Sequence, residues 1–414
     1  MNRLTDGDDR GAFLTRLALK DYKSIEEADV TLARFTALVG PNGAGKSNVL
    51  DALRFVTDAL RNSLEYALRD RGGIGEVRRR SGGHPRHFGI RLEMNLPGGG
   101  EASYAFRIGS SAERAFVVKQ EECIIRAPGG AGAETSRYCV ADGKLSGASA
   151  PLPAATEPDR LYLGIISGLP QFRPVYDSLT RMGFYNLSPA RMQELQSPDP
   201  AEVLARDGAN VAGILGRLEK TDPLAKRRIE SYLGAVVPGL RGLNVKNFGP
   251  KETIEFRQMV AGGKDPWRFP AASMSDGTLR VLGVMVALFQ GVSETGKPVP
   301  LVGIEEPEAA LHPAATAALM DAILEAQQRT QILVTSHSPD LLDHRAISPE
   351  SILAVAAREG NTIVAPVDEA SKQALREGLY TPGELLRFQQ IEPEAPDAGA
   401  SPRQLDLFGE GPVS

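Results

Sequence analysis

The chain reads Gly40-Pro41-Asn42-Gly43-Ala44-Gly45-Lys46-Ser47 directly after a short apolar run at residues 35–39. From Lys46 to Leu68 apolar residues recur every three or four positions, which predicts a helix that begins inside the glycine-rich segment. The segment fits the pattern G-x-x-x-x-G-K-[ST]. This pattern indicates a phosphate-binding loop when a buried strand precedes it and a helix follows it, which is the order predicted here. Glycines allow successive backbone N–H groups to surround a phosphate, and the helix N-terminus adds a favourable dipole.

The segment ends in Lys46 and Ser47, which we expect to supply the side-chain contacts of a nucleotide site. Lys46 would reach the β- and γ-phosphates, and the Ser47 hydroxyl would bind Mg²⁺. The alternative is an ordinary glycine turn before a helix. We expect Mg-ATP to be the ligand.

A second apolar run, at residues 301–304, ends in the acids Glu305 and Glu306, followed by Pro307 and Glu308. We expect this strand to lie beside the phosphate loop, where strand-end carboxylates meet Mg²⁺ and the γ-phosphate. Adjacent strand residues point to opposite faces, so the two acids should differ in role. Glu305 would contact hydrated Mg²⁺, and Glu306 would orient and deprotonate water. The alternative is a solvated strand end.

A third apolar run, at residues 332–335, leads to His337. From the next strand over, this histidine could reach the γ-phosphate. The alternative is a histidine that is hydrogen-bonded at a strand terminus and has no ligand.

A short polar turn, Ser275-Asp276-Gly277, precedes an apolar helical stretch at residues 276–291. Such a turn offers N–H groups and a hydroxyl to an anion. It could equally be an N-cap, and both functions use the same geometry.

With these four elements the sequence resembles the ABC-type ATPases of the structural-maintenance-of-chromosomes (SMC), RecF and OLD group. The acids at 305–308 followed by Leu311-His312-Pro313, and the segment 335–339, are most similar to the RecF-like and OLD-like ATPases. Asp207-Gly208-Ala209-Asn210-Val211 also resembles a segment that such ATPases carry. The likeness covers residues 13–65 and 270–345 well.

The resemblance implies an α/β fold, a P-loop NTPase of ABC/SMC-head type with a mixed sheet, crossover helices and an inserted α/β lobe. It also implies a head-to-head homodimer that encloses two ATP molecules. Ser275 and Gly277, with Asp276 between them, would contact the γ-phosphate held by Lys46 of the other subunit.

Three positions depart from the transporter members of this class: Asp276 replaces Gly, Thr278 replaces Gln, and Glu305 replaces the commoner Asp. The glutamine of the Q-loop has two candidates, Gln120 and Gln171. These departures argue against a transporter subunit.

Composition shifts predict four segments: residues 1–68 and 270–391 as the two parts of the ATPase core, 69–269 as the inserted lobe, and 392–414 as a disordered tail. Within the lobe we expect loops at 72–101 and 142–160, antiparallel strands at 102–140, helices at 171–182 and 211–233, and strands at 243–247 and 253–259. A helix at 313–328 and a strand at 331–335 follow.

Seven arginines lie between Arg69 and Arg91, against two acids. This local charge suits contacts with a DNA backbone. A charge run that is solvated or internally paired is an equally good interpretation. The arginines are Arg69, Arg71, Arg78, Arg79, Arg80, Arg86 and Arg91.

The C-terminal segment Gln404 to Phe408 resembles the pentapeptide by which bacterial replication and repair proteins bind the β sliding clamp. The alternative is a tail helix that packs Leu405 and Phe408 on their own protein. OLD-like proteins often carry a nuclease, but only 77 residues follow His337 and they contain no D-x-D pattern. We therefore expect no nuclease in this chain, so DNA cleavage would need a separate nuclease partner.

The composition excludes several classes of protein. The 414 residues carry 47 basic and 52 acidic side chains, a net charge of −5, and only two cysteines, so a disulfide scaffold is excluded. The N-terminus lacks an apolar signal segment, and the longest apolar run, 281–289, is too short to cross a bilayer.

We expect a cytoplasmic ATPase in DNA repair or antiviral defence. The alternative is a nucleotide-gated scaffold that controls a separate nuclease or toxin.

Overall fold

The computed structural model describes residues 13–81, 85–111, 115–129, 135–153, 157–198, 203–291, 299–395 and 405–408. Its strands are β1 (Phe13–Tyr22), β2 (Ile25–Thr31), β3 (Phe35–Val39), β4 (His87–Asn95), β5 (Glu101–Gly109), β6 (Val117–Arg126), β7 (Thr135–Ala141), β8 (Lys144–Ala148), β9 (Gly183–Tyr185), β10 (Leu240–Phe248), β11 (Lys251–Gln258), β12 (Trp267–Pro270), β13 (Leu301–Glu305), β14 (Gln331–Ser336), β15 (Ile352–Arg358) and β16 (Asn361–Pro366). Its helices are α1 (Lys46–Arg61), α2 (Leu64–Arg69), α3 (Ile74–Val77), α4 (Tyr162–Ile165), α5 (Arg173–Thr180), α6 (Pro189–Gln193), α7 (Val211–Thr221), α8 (Pro223–Val236), α9 (Asp276–Phe289), α10 (Pro313–Ala326), α11 (Pro339–Leu342), α12 (Glu369–Arg376) and α13 (Pro382–Arg387).

A six-stranded sheet carries the candidate site. Its order is β16-β15-β3-β14-β13-β9, and all neighbouring pairs are parallel except β15 with β16. The carboxyl ends of β3, β14 and β13 therefore meet at one edge. One expectation was wrong: β14, which leads to His337, separates the phosphate-loop strand from the carboxylate strand.

A seven-stranded antiparallel sheet has the order β2-β1-β4-β5-β6-β7-β8. It joins two strands from the beginning of the chain to five strands of the expected lobe. Conversely, β9 falls within the expected lobe but pairs with β13 of the six-stranded sheet. The four-segment division of the chain stays a prediction.

Several expected elements differ in extent. The helix expected to reach Leu68 ends at Arg61, because Ser63 begins a new helix by accepting a hydrogen bond from the Tyr66 N–H. The expected helix at 211–233 is two helices, since Asp222 caps α8 and a proline follows it. The loops expected at 72–101 and 142–160 contain α3, β4 and β8. Turn-forming residues such as Gly concealed both strands, of which β4 pairs with the distant β1 and β8 forms a short hairpin with β7.

Two apolar cores flank the six-stranded sheet. Along β3, Leu38 belongs to the core shared with α1 and the seven-stranded sheet, whereas Ala37 and Val39 belong to the core around α9. This division follows from strand alternation and explains why all five residues of β3 are buried. Among the described residues, no helix combines the length and apolar character needed to span a bilayer.

Candidate functional site

The glycine-rich loop between β3 and α1 depends on glycine at particular positions. Gly43 and Gly45 have φ angles of +78° and +104°, which favour glycine. A Cβ on Gly45 would lie 2.1 Å from the Thr362 hydroxyl, which donates to the Ala44 carbonyl at 2.9 Å. A Cβ on Gly40 would lie 1.9 Å from the Val355 carbonyl oxygen. Strands β15 and β16 therefore support the back of the loop.

The Lys46 side chain folds into this loop. Its amino group donates to the carbonyl oxygens of Gly40 at 2.7 Å and Pro41 at 3.0 Å. Burial lowers the pKa of the Lys46 ammonium, against the raising effect of the nearby Glu306 and Glu308 charges. Ser47 is exposed on the first turn of α1.

The two neighbouring acids after β13 face different partners. Glu305 pairs with Arg206, with 3.0 Å between Oε1 and Nη2. Glu306 has a positive φ of 45°, and its backbone N–H donates to the Thr335 carbonyl at 3.1 Å. Its Oε1 lies 3.2 Å from Nδ1 of His337. The turn thus brings Glu306 and His337 together, while Glu305 points elsewhere.

Sequence reasoning did not predict that Glu308, the third acid of this segment, is buried. Its carboxyl is buried and accepts a 2.6 Å hydrogen bond from the Ser336 hydroxyl. Within the described part of the chain the other oxygen, Oε2, has no hydrogen-bond partner, and burial raises the pKa of this carboxyl. Its place as the third acid after an apolar strand was the available signal.

The turn before α9 caps that helix, as one interpretation of the sequence expected. The Ser275 hydroxyl accepts a 3.3 Å hydrogen bond from the Thr278 N–H. Gly277 lies against the loop that follows the acids: a Cβ there would come within 2.6 Å of the Ala310 carbonyl oxygen. The turn at 275–277 is thus in direct contact with the 306–310 segment of the same chain.

A family model described as "AAA domain, putative AbiEii toxin, Type IV TA system" matches residues 35–124 and 152–343, more than half of the chain. The chain belongs to this AAA family. RecF, the DNA replication and repair protein, is 58% identical over 41 residues in both Yersinia enterocolitica and Erwinia tasmaniensis. That match covers 10% of this chain and 11% of either RecF, so the chain spans about a tenth of the length of these relatives.

Solved structures of similar shape are SMC heads. A SmcHead bound to the C-winged helix domain of ScpA has a TM-score of 0.52 at 18% identity, covering 87% of this chain and 99% of that one. An Smc head from Pyrococcus furiosus, bound to the C-terminal domain of ScpA, has a TM-score of 0.52 at 15% identity. That match covers 89% of this chain and 99% of the Smc head chain. The AAA-family chain therefore has the P-loop ABC-type ATPase fold of an SMC head, which confirms the expected fold class.

Neither expected Q-loop glutamine lies at the sheet edge that carries the acids. Gln120 is in β6 of the seven-stranded sheet, and Gln171 precedes α5. Asn186 occupies that edge instead, because it follows Tyr185 of β9, whose partner in β13 is Ile304. Sequence reasoning missed Asn186 because the three-residue strand before it has no distinctive pattern.

A cavity of about 510 Å³ lies beside the first part of the glycine-rich loop of this AAA-family chain. Its lining includes Gly40, Pro41, Asn42, His337, Arg358 and Glu392, but neither Lys46 nor Ser47. No group of three or more His, Cys, Asp or Glu side chains among the described residues could hold a metal alone. The oxygen donors of Ser47 and Glu305 are of the kind that Mg²⁺ takes together with substrate phosphates. In this structure the Glu305 carboxylate is paired with Arg206.

The arginines at 69–91 do not form a continuous free basic loop. Arg71 pairs with Asp51 and Asp58, Arg79 with Glu26, Arg80 with Glu76, and Arg91 with Glu93. For these four residues the structure favours internal pairing. Arg69 and Arg86 are exposed and Arg78 is partly exposed.

The C-terminal motif is only partly within the described residues, since Gln404 lies outside them. Leu405 to Phe408 pack on the seven-stranded sheet, and Leu407 and Phe408 are 1% and 6% exposed. The expectation of disorder is wrong for these four residues. Their packing on the chain's own body agrees with the alternative, but residues 405–408 do not form the helix that it expected.

Proposed function

We propose that this chain is a RecF/OLD-like enzyme that binds Mg-ATP, hydrolyses it and dimerises head-to-head around it. The observation that carries this proposal is the shared sheet edge. There Lys46 lies in the glycine loop, and the Glu306 carboxylate and the His337 ring meet 3.2 Å apart.

Each residue has a distinct proposed role. Lys46 leaves the carbonyls of Gly40 and Pro41 to bind phosphate oxygens, and the loop backbone surrounds the phosphates. Glu306 accepts a proton from the attacking water, and His337 orients that carboxylate and contacts the γ-phosphate. Ser47 and Glu305 hold Mg²⁺, which neutralises phosphate charge when bound.

The proposed dimer uses the turn at Ser275, Asp276 and Gly277. This turn caps α9 and leaves its hydroxyl and N–H groups at a helix N-terminus, which suits a γ-phosphate bound to the second subunit. Its contact with Ala310 would transmit closure of the dimer to the segment that carries Glu306.

The proposed cellular role is DNA repair or defence against foreign DNA. The short RecF match, RecF being a replication and repair protein, supports the former. DNA would contact Arg69, Arg78 and Arg86, the arginines of the expected patch that are not among those paired with carboxylates. Recruitment to the β sliding clamp would use Gln404 to Phe408 after this segment leaves the sheet.

The first experiment is titration calorimetry of Mg-ATP with the Lys46→Ala variant. Loss of its charge-assisted phosphate contacts should weaken binding by about a hundredfold or more, the equivalent of about 3 kcal/mol. Lys119→Ala, which removes an exposed lysine paired with Asp142, is the control and should bind normally. Unchanged affinity in Lys46→Ala would overturn the site.

The second candidate is a scaffold whose slow hydrolysis times the release of a separate nuclease or toxin. The toxin–antitoxin wording of the family description favours keeping it. ATPase rates with and without DNA separate the two candidates: strong stimulation supports a DNA-linked ATPase, and indifference supports the scaffold.

Clamp recruitment has its own experiment. Deleting residues 404–414 should abolish capture on immobilised β clamp and leave the ATPase rate unchanged. Equal capture of the full and shortened chains would refute recruitment through this segment.

A further inference from the structure

The outer face of the seven-stranded sheet has a depression lined by small residues. Ala18 of β1, Gly89 of β4 and Ala105 of β5 lie on this face, because Ala18 and Ala105 both pair with Arg91, two residues from Gly89. The alternate residues of the same strands, such as Leu17, Ile90 and Phe106, face the core. The same face of these three strands also carries charged residues: Arg16, Lys20, Arg91, Glu93 and Arg107.

The chain's own C-terminal segment fills this depression. Leu407, Phe408, Ala18 and Ala105 form a separate apolar cluster, against which Leu405 also packs. A Cβ on Gly89 would lie 2.4 Å from the Leu407 Cδ1 atom. Glycine at this position therefore provides the space that the leucine occupies.

Polar contacts fix the direction and register of the segment. Arg91 donates from Nη1 to the Leu407 carbonyl oxygen at 3.0 Å, and the Leu405 N–H donates to Glu27 Oε1 at 3.1 Å. The guanidinium of Arg107 lies 5.1 Å from the centroid of the Phe408 ring, within cation–π range. Within the segment, the Phe408 N–H donates to Asp406 Oδ1 at 3.1 Å.

We propose that this depression is a peptide-docking site whose occupant is Leu405–Phe408 of the same chain, bound reversibly. Two buried side chains, two backbone hydrogen bonds and one ring contact form a small interface, which suits exchange. Tethering to the same chain gives the segment a high effective concentration, so modest intrinsic affinity is sufficient to keep it docked. While docked, Leu407 and Phe408 are hidden from any outside partner.

The test uses a fluorescent peptide with the sequence of residues 403–410 and measures its anisotropy with two proteins. The shortened chain, lacking residues 404–414, should bind the peptide saturably. The full chain should bind it at least about tenfold more weakly, since its own segment competes at the high effective concentration of a tether. No nucleotide or clamp is present, so the outcome is independent of the proposed function.

Two sets of variants locate the binding. A peptide with Leu407→Ala and Phe408→Ala cannot alter the folding of the protein and should lose binding. Gly89→Val in the shortened chain should also lose it, because the new side chain enters the leucine position. Gly147→Val is the control, since a Cβ at Gly147 of β8 meets nothing within 4 Å.

The proposal would be overturned by no binding to the shortened chain, by equal binding to both proteins, or by equal binding of the alanine peptide. It would also be overturned if the weaker binding of the full chain disappeared on dilution, because the docked segment would then come from a second copy.

Discussion

The Nδ1 atom of His337 lies 3.2 Å from Oε1 of Glu306, although the two residues end different strands and are 31 positions apart. Their contact exists because β13 and β14 are parallel neighbours that end at the same edge of the sheet. The positive φ of Glu306 turns its side chain toward the histidine and away from the direction of Glu305. The proposed base and its proposed orienting partner are thus in contact.

The Glu306→Gln variant tests this pair. Glutamine keeps the size and one acceptor but cannot take a proton, so Mg-ATP should bind while the turnover rate falls by about a hundredfold or more. Retained ATP should then hold the dimer, visible as an earlier peak on a sizing column with ATP than without it. Normal turnover in this variant would remove Glu306 from the role of base.

The contact between Gly277 and the Ala310 carbonyl predicts the effect of a single methyl group. In Gly277→Ala the new Cβ would lie 2.6 Å from that oxygen, so the 306–310 segment must shift. We expect nucleotide binding to survive and the ATPase rate to fall about tenfold or more, because small misplacements of reacting groups are costly. Gly234→Ala in α8, where a Cβ meets nothing within 4 Å, is the matched control and should leave the rate unchanged.

Replacing Arg71 should lower the stability of the fold and not act on the proposed reaction directly. Its side chain is 3% exposed, pairs with Asp51 and Asp58, and lies 5.2 Å from the Phe55 ring centroid. Arg71→Ala leaves the partly buried carboxylates of Asp51 and Asp58 with one cationic partner fewer, so the free energy of unfolding should fall by about 2 kcal/mol. Denaturant titration measures this, with exposed Arg80→Ala as a control that should change it by less than about 0.5 kcal/mol.

The same network predicts a pH dependence. Although burial opposes it, the charges and hydrogen bonds of Arg71 and Lys23 hold the pKa of Asp51 well below its ordinary value of 3.8. A lowered pKa in the folded state contributes stability above the unfolded-state value, and this stability is lost as the pH falls. The stability difference between wild type and Arg71→Ala should therefore narrow as the pH drops below about 4. A constant difference across this range would contradict the assignment.

The contribution of Glu308 to folding stability should depend on pH in the opposite sense, because burial raises the pKa of its carboxyl. The wild type should lose stability as the pH rises from the ordinary value of 4.5 through the raised value, since an ionised carboxylate must then stay buried. Glu308→Gln keeps an acceptor for Ser336 and avoids this cost, so its melting temperature relative to wild type should rise with pH. Glu194→Gln, on the surface, is the control; a pH-independent difference for Glu308→Gln would refute the burial argument.

The local elements of the site could be predicted from the sequence because neighbouring residues decide them. The glycine turn, the acids after an apolar strand, His337 after another, and the cap at Ser275 all depend on short-range backbone geometry. Strand β4 was missed, since its pairing with the distant β1 rather than its composition makes it a strand, and the glycine-rich and arginine-rich segment around residue 80 concealed this. Strand β8 was missed because turn-forming residues surround its short hairpin with β7.

The sequence by itself determined that a phosphate loop, two acids and a histidine follow buried strands in this chain. Only the tertiary structure decided that β14 lies between β3 and β13, that Asn186 ends the strand beside the acids, and that Glu308 is buried. It also decided that Leu407 lies against Gly89, more than 300 residues earlier. These relations depend on which distant strands pair and on the space that remains between them, and no local pattern encodes either.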